Sequence, residues 1–90
     1  MPLRGVEEYH RWVERESPSV AAQRFVRHFL AEVGDEPWRA PSVPIDVLSQ
    51  QPEYEVRVAA LDVVDEQPVR VWYRHFYATG AVDVIAVTNR

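Results

Sequence analysis

The sequence contains no cysteine and no lysine, and it lacks any long apolar run. Without cysteine, neither a disulfide framework nor a thiolate metal site can form, and nothing requires an oxidising compartment. The first ten residues have no apolar core like that of a signal peptide, and no stretch approaches the roughly 20 apolar residues of a membrane span. We therefore expect a cytoplasmic protein without a membrane segment, from a bacterium or a phage.

Basic charge is also scarce. Fourteen acidic residues face ten basic ones, which gives a net charge of -4 and disfavours non-specific attraction to nucleic acid. All ten basic residues are arginines, which keep their charge at physiological pH and bind a phosphate or carboxylate with a planar fork. A local basic site on an acidic molecule is therefore compatible with the composition.

The length of 90 residues supports one hydrophobic core and excludes a second catalytic domain. With 47% apolar and 27% charged residues, the composition is typical of a globular protein. We therefore treat residues 1–90 as a single domain.

The first third of the chain has the apolar spacing of two helices. The apolar positions of the first, over residues 5–16, are Val6, Tyr9 and Val13. Ser17 and Pro18 are a typical N-cap and first-turn pair, and they predict a second helix that ends at Gly34. Its apolar face comprises Ala22, Phe25, Val26, Phe29 and Val33. So short a break predicts an antiparallel helical hairpin.

The remainder of the chain predicts an antiparallel sheet. Three prolines in residues 35–44 indicate a surface linker, anchored by Trp38, and a short turn follows at residues 45–48. Period-two or apolar runs predict three strands in a meander, at residues 54–61, 69–77 and 82–88. The fold class is therefore α+β in two layers, with the N-terminal helical hairpin packed on a three- to four-stranded antiparallel sheet. The opposite sheet face, with an arginine from each strand, is expected to be free for a partner or substrate.

Three arginines are the candidate catalytic residues: Arg57, Arg70 and Arg90. If their strands are neighbours, the three side chains can converge on one face and stabilise the charge that develops during phosphoryl transfer. The alternative is that each is an exposed strand residue that pairs with a nearby carboxylate. The candidate carboxylates are Glu53, Glu55 and Asp83.

The histidines and aromatic residues offer a second set of candidates. His10, His28 and His75 lie on different elements without metal-ligand spacing, and no nucleotide or metalloprotease motif is present, so we expect neither a metal nor a cofactor. His75 is either a general base or a half-buried sheet residue, and Arg74 and Tyr73 complete a candidate binding set with it. The strand aromatics either stack on bases or pack across strands; they are Trp72, Tyr73, Phe76 and Tyr77.

Five segments together resemble the RelE/ParE superfamily of toxins. VEEYHRWVERESPSVAAQRFVRHFLAEV resembles the ParE-type helical hairpin, and PWRAPSVPI resembles the linker after it. PEYEVRV, PVRVWYRHFY and VDVIAVTNR are similar to the strands that carry the basic residues of the family. The resemblance covers about residues 6–90, and the family's N-terminal strand is expected to be missing or reduced to residues 1–4.

The resemblance implies the toxin of a type II toxin-antitoxin pair, with a cognate antitoxin as its partner. In RelE-type ribonucleases, basic positions matching Arg57, Arg70 and Arg90 bind and cleave ribosome-bound mRNA. ParE-type members instead inhibit DNA gyrase and need no catalytic set, so the resemblance leaves enzymatic activity open. The alternative is a non-enzymatic protein-interaction module, phage-encoded or not, that pairs through an exposed sheet edge or forms a homodimer.

Overall fold

The computed structural model of the chain describes residues 3–38, 42–45 and 51–89. Its elements are β1 (Leu3–Arg4), α1 (Val6–Glu16), α2 (Val20–Asp35), β2 (Ser42–Pro44), β3 (Tyr54–Leu61), β4 (Val69–Phe76) and β5 (Val82–Thr88). The strands form one sheet in the order β1-β5-β4-β3-β2. β1 is parallel to β5, and the other neighbours are antiparallel. The α+β class is confirmed, but the described sheet has five strands and is mixed, whereas three to four antiparallel strands were expected.

The chain passes from β1 into α1 through Gly5, which has a φ of 81°. A Cβ atom at this position would lie 2.1 Å from the carbonyl oxygen of Val84. The backbone therefore approaches β5 so closely, and in a left-handed conformation, that only glycine fits. This contact places the start of α1 directly against the sheet.

The junction of the helices differs from the prediction. Ser17 ends α1 in a left-handed conformation with a φ of 46°, and its N–H donates to the carbonyl of Val13. The N-cap of α2 is Ser19, whose Oγ accepts a hydrogen bond from the N–H of Ala22 at 3.0 Å. The prediction that Ser17 is the N-cap of α2 was wrong. Ser17 ends α1, and the serine on the other side of Pro18, Ser19, is the N-cap. α2 also continues past the buried Gly34 to Asp35.

Both helices bury one face against the same side of the sheet, which we call the helix face. Phe29 is only 4% exposed, as its place on the predicted stripe requires, whereas Phe25 is 46% exposed and was wrongly assigned to the core. The buried helix residues are Tyr9, Trp12, Ala22, Val26, Phe29, Leu30 and Val33. The strand residues of the same cluster are Ala59, Leu61, Val69, Val71, Tyr73, Val82, Val84 and Val87.

The buried side of α1 is offset by about one residue from the predicted apolar stripe. Tyr9 and Trp12 are buried, whereas Val6 is 39% exposed and Val13 only packs partly against the core. The indole of Trp12 fits a fully buried site because its N–H has a partner, Asn89, far along the chain. The predicted stripe of Val6, Tyr9 and Val13 did not include Trp12, and its contact with Asn89 depends on the tertiary fold.

The predicted linker contains a strand. Ser42 pairs with Ala59 and Pro44 with Arg57, so β2 forms the outer neighbour of β3. Proline is tolerated here because β2 lies at the sheet edge, where a missing N–H breaks no ladder on the outer side. The N–H of Ile45 then donates to the carbonyl of Val56 at 2.8 Å, and the rest of the predicted turn lies outside the described residues.

The meander of β3, β4 and β5 was predicted correctly, and β3 and β5 have the predicted bounds, while β4 ends one residue early, at Phe76. A β-bulge shifts the register between β4 and β5: Trp72 pairs with Ala86, but Tyr73 pairs with Val84. Ile85 is thus the extra residue, and the bulge turns Val87 toward the core beside Val84. In the described part of the chain, no helix is long and apolar enough to span a membrane.

Candidate functional site

The structure places Arg57 and Arg70 on opposite faces of the sheet. Arg57 pairs with Tyr73 on the helix face, whereas Arg70 pairs with Ala60 on the other side, which we call the open face. Side chains alternate along a strand, so positions 57 and 60 of β3 point in opposite directions. The two arginines therefore cannot share one phosphate, and the expected face with an arginine from each strand does not form. Arg90 lies outside the described residues.

Arg57 is buried at 8% exposure and holds β2 against β3. Its Nε donates to the Oγ of Ser42 at 3.0 Å, and its Nη2 donates to the carbonyl of the same residue at 3.0 Å. Nη1 donates to Oε1 of Glu55 at 2.5 Å. The predicted alternative to a catalytic role was an exposed arginine paired with a nearby carboxylate. Arg57 does pair with Glu55, but its side chain is buried. All of these bonds are internal, which is the arrangement of a structural arginine.

Tyr73, a candidate binding residue, lies in the core. Its ring packs against Phe29 with centroids 6.4 Å apart, and its hydroxyl donates to the carbonyl of Pro37. Burial raises the pKa of Tyr73 above its ordinary value, against the opposing effects of Ser42 and Arg57. In this position the hydroxyl fixes the segment after α2 and is closed to a ligand.

His75 belongs to a cluster at the end of the helix face, beyond the helices, which we call the aromatic patch. Its members in mutual contact are Trp38, Glu55, His75 and Tyr77. Glu53 adjoins them through its carbonyl, which accepts a hydrogen bond from the N–H of Tyr77 at 3.1 Å, and we count it with the patch. The ring centroid of His75 lies 6.1 Å from that of Trp38 and 5.7 Å from that of Tyr77. The hydroxyl of Tyr77 donates to Oε2 of Glu55 at 3.2 Å, and Nδ1 of His75 lies 3.8 Å from Oε1. That last distance indicates an electrostatic contact, longer than a hydrogen bond.

The carboxyl of Glu55 is held in its ionised form. Partial burial acts to raise its pKa, but the hydrogen bond and charge of Arg57, with smaller contributions from Tyr77 and His75, lower the pKa overall. The sequence predicted Glu55 only as a partner for arginine. Its cross-strand pairing with His75 follows from the register of β3 and β4, which no local pattern gives.

The open face has its own cleft of about 390 Å³, lined by Val43, Val58, Ala60, Arg70 and Trp72. The side chain of Arg70 is exposed and forms no ion pair or hydrogen bond with any residue that the structure describes. Arg74 also lies on this face, but Asp83 neutralises it at 2.9 Å, and its guanidinium lies 5.5 Å from the centre of the Tyr54 ring. Arg70 is therefore the cation of this cleft that is available to a ligand.

A second cleft of about 590 Å³ lies between α1 and β5, and Trp72 lines both clefts. Arg15 projects from α1 into it and donates to the carbonyl of Val87 at 2.8 Å. The other lining residues are Glu8, Glu16, Ala86, Thr88 and Asn89. The two clefts meet at Trp72, and together they form a groove along the open face from Val43 to α1. Sequence reasoning missed Arg15, because only the packing of α1 beside β5 brings it here.

Comparison of the chain with protein-family models, with curated proteins and with solved structures found no match. Within the described residues, no group of three or more histidine, aspartate or glutamate side chains is placed to hold a metal ion.

Proposed function

We propose that this chain is the toxin of a type II toxin-antitoxin pair, of the ParE-like kind that acts by binding DNA gyrase, and that its open face is the binding surface. The observation that carries the proposal is Arg70. An exposed guanidinium without an ion partner in the described structure lies beside Trp72 in an apolar cleft. Tryptophan and arginine are the residues most enriched at the energetic centres of protein interfaces.

The order of elements supports the same proposal. The two helices followed by the meander of β3, β4 and β5 have the order that the resemblance implies, and the two-residue β1 is compatible with a reduced N-terminal strand, whereas the edge strand β2 is an addition to that order. The helices cover one sheet face and leave the face with Arg70 and Trp72 without a helix in the described part of the chain. A partner with an apolar side chain next to a carboxylate fits that cleft.

The placement of the arginines favours binding over RNA cleavage. A ribonuclease of the RelE kind needs several cations around one phosphate, and Arg57 is buried on the far side of the sheet from Arg70. The positive charge of Arg57 is also offset by Glu55. A surface with one free arginine and a central tryptophan supports recognition of a protein better than stabilisation of a transition state.

The face is also a better docking surface than the sheet edges, which bears on the alternative of an interaction module. β1 has two residues and β2 has three, and short edge strands disfavour pairing with another chain. Arg15 further occupies the carbonyl of Val87 on β5. If the chain is an interaction module without toxicity, we propose that it uses the same open face.

The test is controlled expression of the chain in a bacterial host without antitoxin, with growth, mRNA integrity and DNA supercoiling followed in parallel. The variants are Arg70→Ala and Trp72→Ala, and the control is Arg24→Ala, which removes an exposed arginine from α2. We expect growth arrest and altered supercoiling with intact mRNA, relieved by both open-face variants and unchanged by the control.

Each other outcome decides against part of the proposal. Arrest with mRNA cleavage would establish the ribonuclease instead. Arrest that persists in both open-face variants would remove this surface from the mechanism. A folded, expressed protein that causes no arrest would exclude both toxin functions and leave the interaction module. That module would then be supported if wild type captured a partner protein and Trp72→Ala did not.

A further inference from the structure

The aromatic patch exposes two large rings side by side. Trp38 is 62% exposed and Tyr77 is 56% exposed, with the ring of His75 between them. None of the three contributes to the core cluster, which ends at Tyr73 on this strand. Exposed aromatic rings that are grouped in this way mark interaction sites more often than scattered ones do.

The carboxylates of the patch give it a negative charge. Glu53 is exposed, and its carboxylate forms no ion pair with the residues described. Glu55 lies beside Tyr77 and His75, and the cation that pairs with it, Arg57, is buried on its inner side. An approaching molecule therefore meets two exposed aromatic rings and, in the groove that Tyr77 and Glu53 both line, a carboxylate without a described ion partner, while Arg57 is already paired with Glu55.

An apolar groove continues from the patch around the end of β4. It has a volume of about 490 Å³ and is lined by Pro52, Glu53, Phe76, Tyr77, Ala78 and Thr79. Tyr77 and Glu53 belong to both the patch and the groove. A ligand that places a charged group on the patch can therefore extend an apolar neighbour into the groove.

We infer that the patch and its groove form a docking site for a basic segment of a partner protein, with an arginine or lysine of that segment over Trp38 and Tyr77, next to Glu53. Aromatic faces attract cations, and the apolar stem of arginine or lysine packs on the same rings. The site opens on the helix side of the sheet, away from Arg70, so it does not depend on the function proposed for the open face.

The experiment uses the full chain labelled with ¹⁵N and titrated with a capped peptide of alternating leucine and arginine. The indole N–H resonance of Trp38 reports occupancy of the patch in chains that keep this residue, the backbone amide resonance of Tyr77 reports it in every variant, and the indole N–H resonance of Trp72 reports the open face. A peptide with glutamate in place of arginine controls for charge, and tetramethylammonium tests for a site that takes only a small cation. The variants are Trp38→Ala and Glu53→Gln, and the control is Phe25→Ala, an exposed aromatic on α2.

In wild type we expect saturable shifts of the Trp38 resonance. The Kd for the arginine peptide should be about fivefold or more higher in Trp38→Ala. In Glu53→Gln the Kd should also be higher, and it should depend less on salt concentration. Phe25→Ala should bind like wild type. The site would be overturned if the glutamate peptide bound, if both patch variants bound the arginine peptide as tightly as wild type, or if the shifts were confined to Trp72. Tetramethylammonium binding as tight as that of the peptide would overturn the docking of a segment.

Discussion

The indole N–H of Trp12 donates to Oδ1 of Asn89 at 2.6 Å and joins α1 to the end of β5 across 77 positions of the chain. Trp12 is fully buried, so this bond satisfies a polar group that would otherwise be unpaired in the core. Trp12→Phe should therefore lower the free energy of unfolding by about 1–3 kcal/mol, measured by urea denaturation. Trp38→Phe, at an exposed tryptophan, is the control and should change stability by less than about 0.5 kcal/mol.

The two phenylalanines of α2 provide a matched pair. Phe29 lies against Tyr73 in the core, whereas Phe25 is 46% exposed. Phe29→Ala should cost about 3–5 kcal/mol because it leaves a cavity, and Phe25→Ala should cost less than about 1 kcal/mol. Equal losses in thermal or urea unfolding would contradict the packing of α2 on the helix face.

Substitution of the arginine on each sheet face should have different effects: loss of Arg57 should lower stability, whereas loss of Arg70 should affect function and leave stability unchanged. Arg57→Met leaves Glu55 without its ion partner in a half-buried site and should destabilise the fold by about 3 kcal/mol. Arg70→Met should change the unfolding free energy by less than about 0.5 kcal/mol, because Arg70 is exposed and without a partner in the described structure. A large loss of stability in Arg70→Met would show that this arginine is structural.

Glu55 should make stability depend on pH in the acidic range. Because Arg57 lowers the pKa of Glu55 in the folded state, the carboxylate stabilises the fold fully above the unfolded pKa of about 4.3. That contribution is lost as the pH falls through the lower, folded-state pKa. Unfolding free energies measured from about pH 7 down to about pH 3 should fall less steeply in Glu55→Gln than in wild type. Parallel curves would assign the acid sensitivity to other carboxylates.

The sequence predicted best where a pattern is local. The strands of residues 54–61 and 82–88 follow from alternation and apolar runs, and Phe29 follows from helical spacing. The sequence could not predict which face of β3 packs on the helices, because both of its faces carry apolar residues. Ala59 and Leu61 pack on the helices, and Arg57 follows them inward because Ser42 and Glu55 satisfy its donors.

Of the predicted site residues, Arg70 lies in the open-face cleft, whereas Arg57 and Tyr73 are buried on the helix face. Arg70 was found from its residue type and strand position, and it lies where a ligand can reach it. The separation of Arg57 from Arg70 depends on the pairing of β3 with β4, and the role of Trp38 depends on a segment whose prolines indicated only a linker. Both require contacts between distant parts of the chain, which periodicity does not encode.

The position of the helices before the strands has a consequence for synthesis of the chain. The apolar stripe of α2 emerges from the ribosome before β3, β4 and β5, the strands that cover it. Because α1 is fastened through Trp12 to Asn89, at the end of β5, the helices cannot reach their final packing until that strand emerges. The nascent chain therefore exposes Val26, Phe29 and Val33 from the emergence of α2 until the strands emerge, which makes it a candidate client for chaperones that bind apolar segments at the exit tunnel.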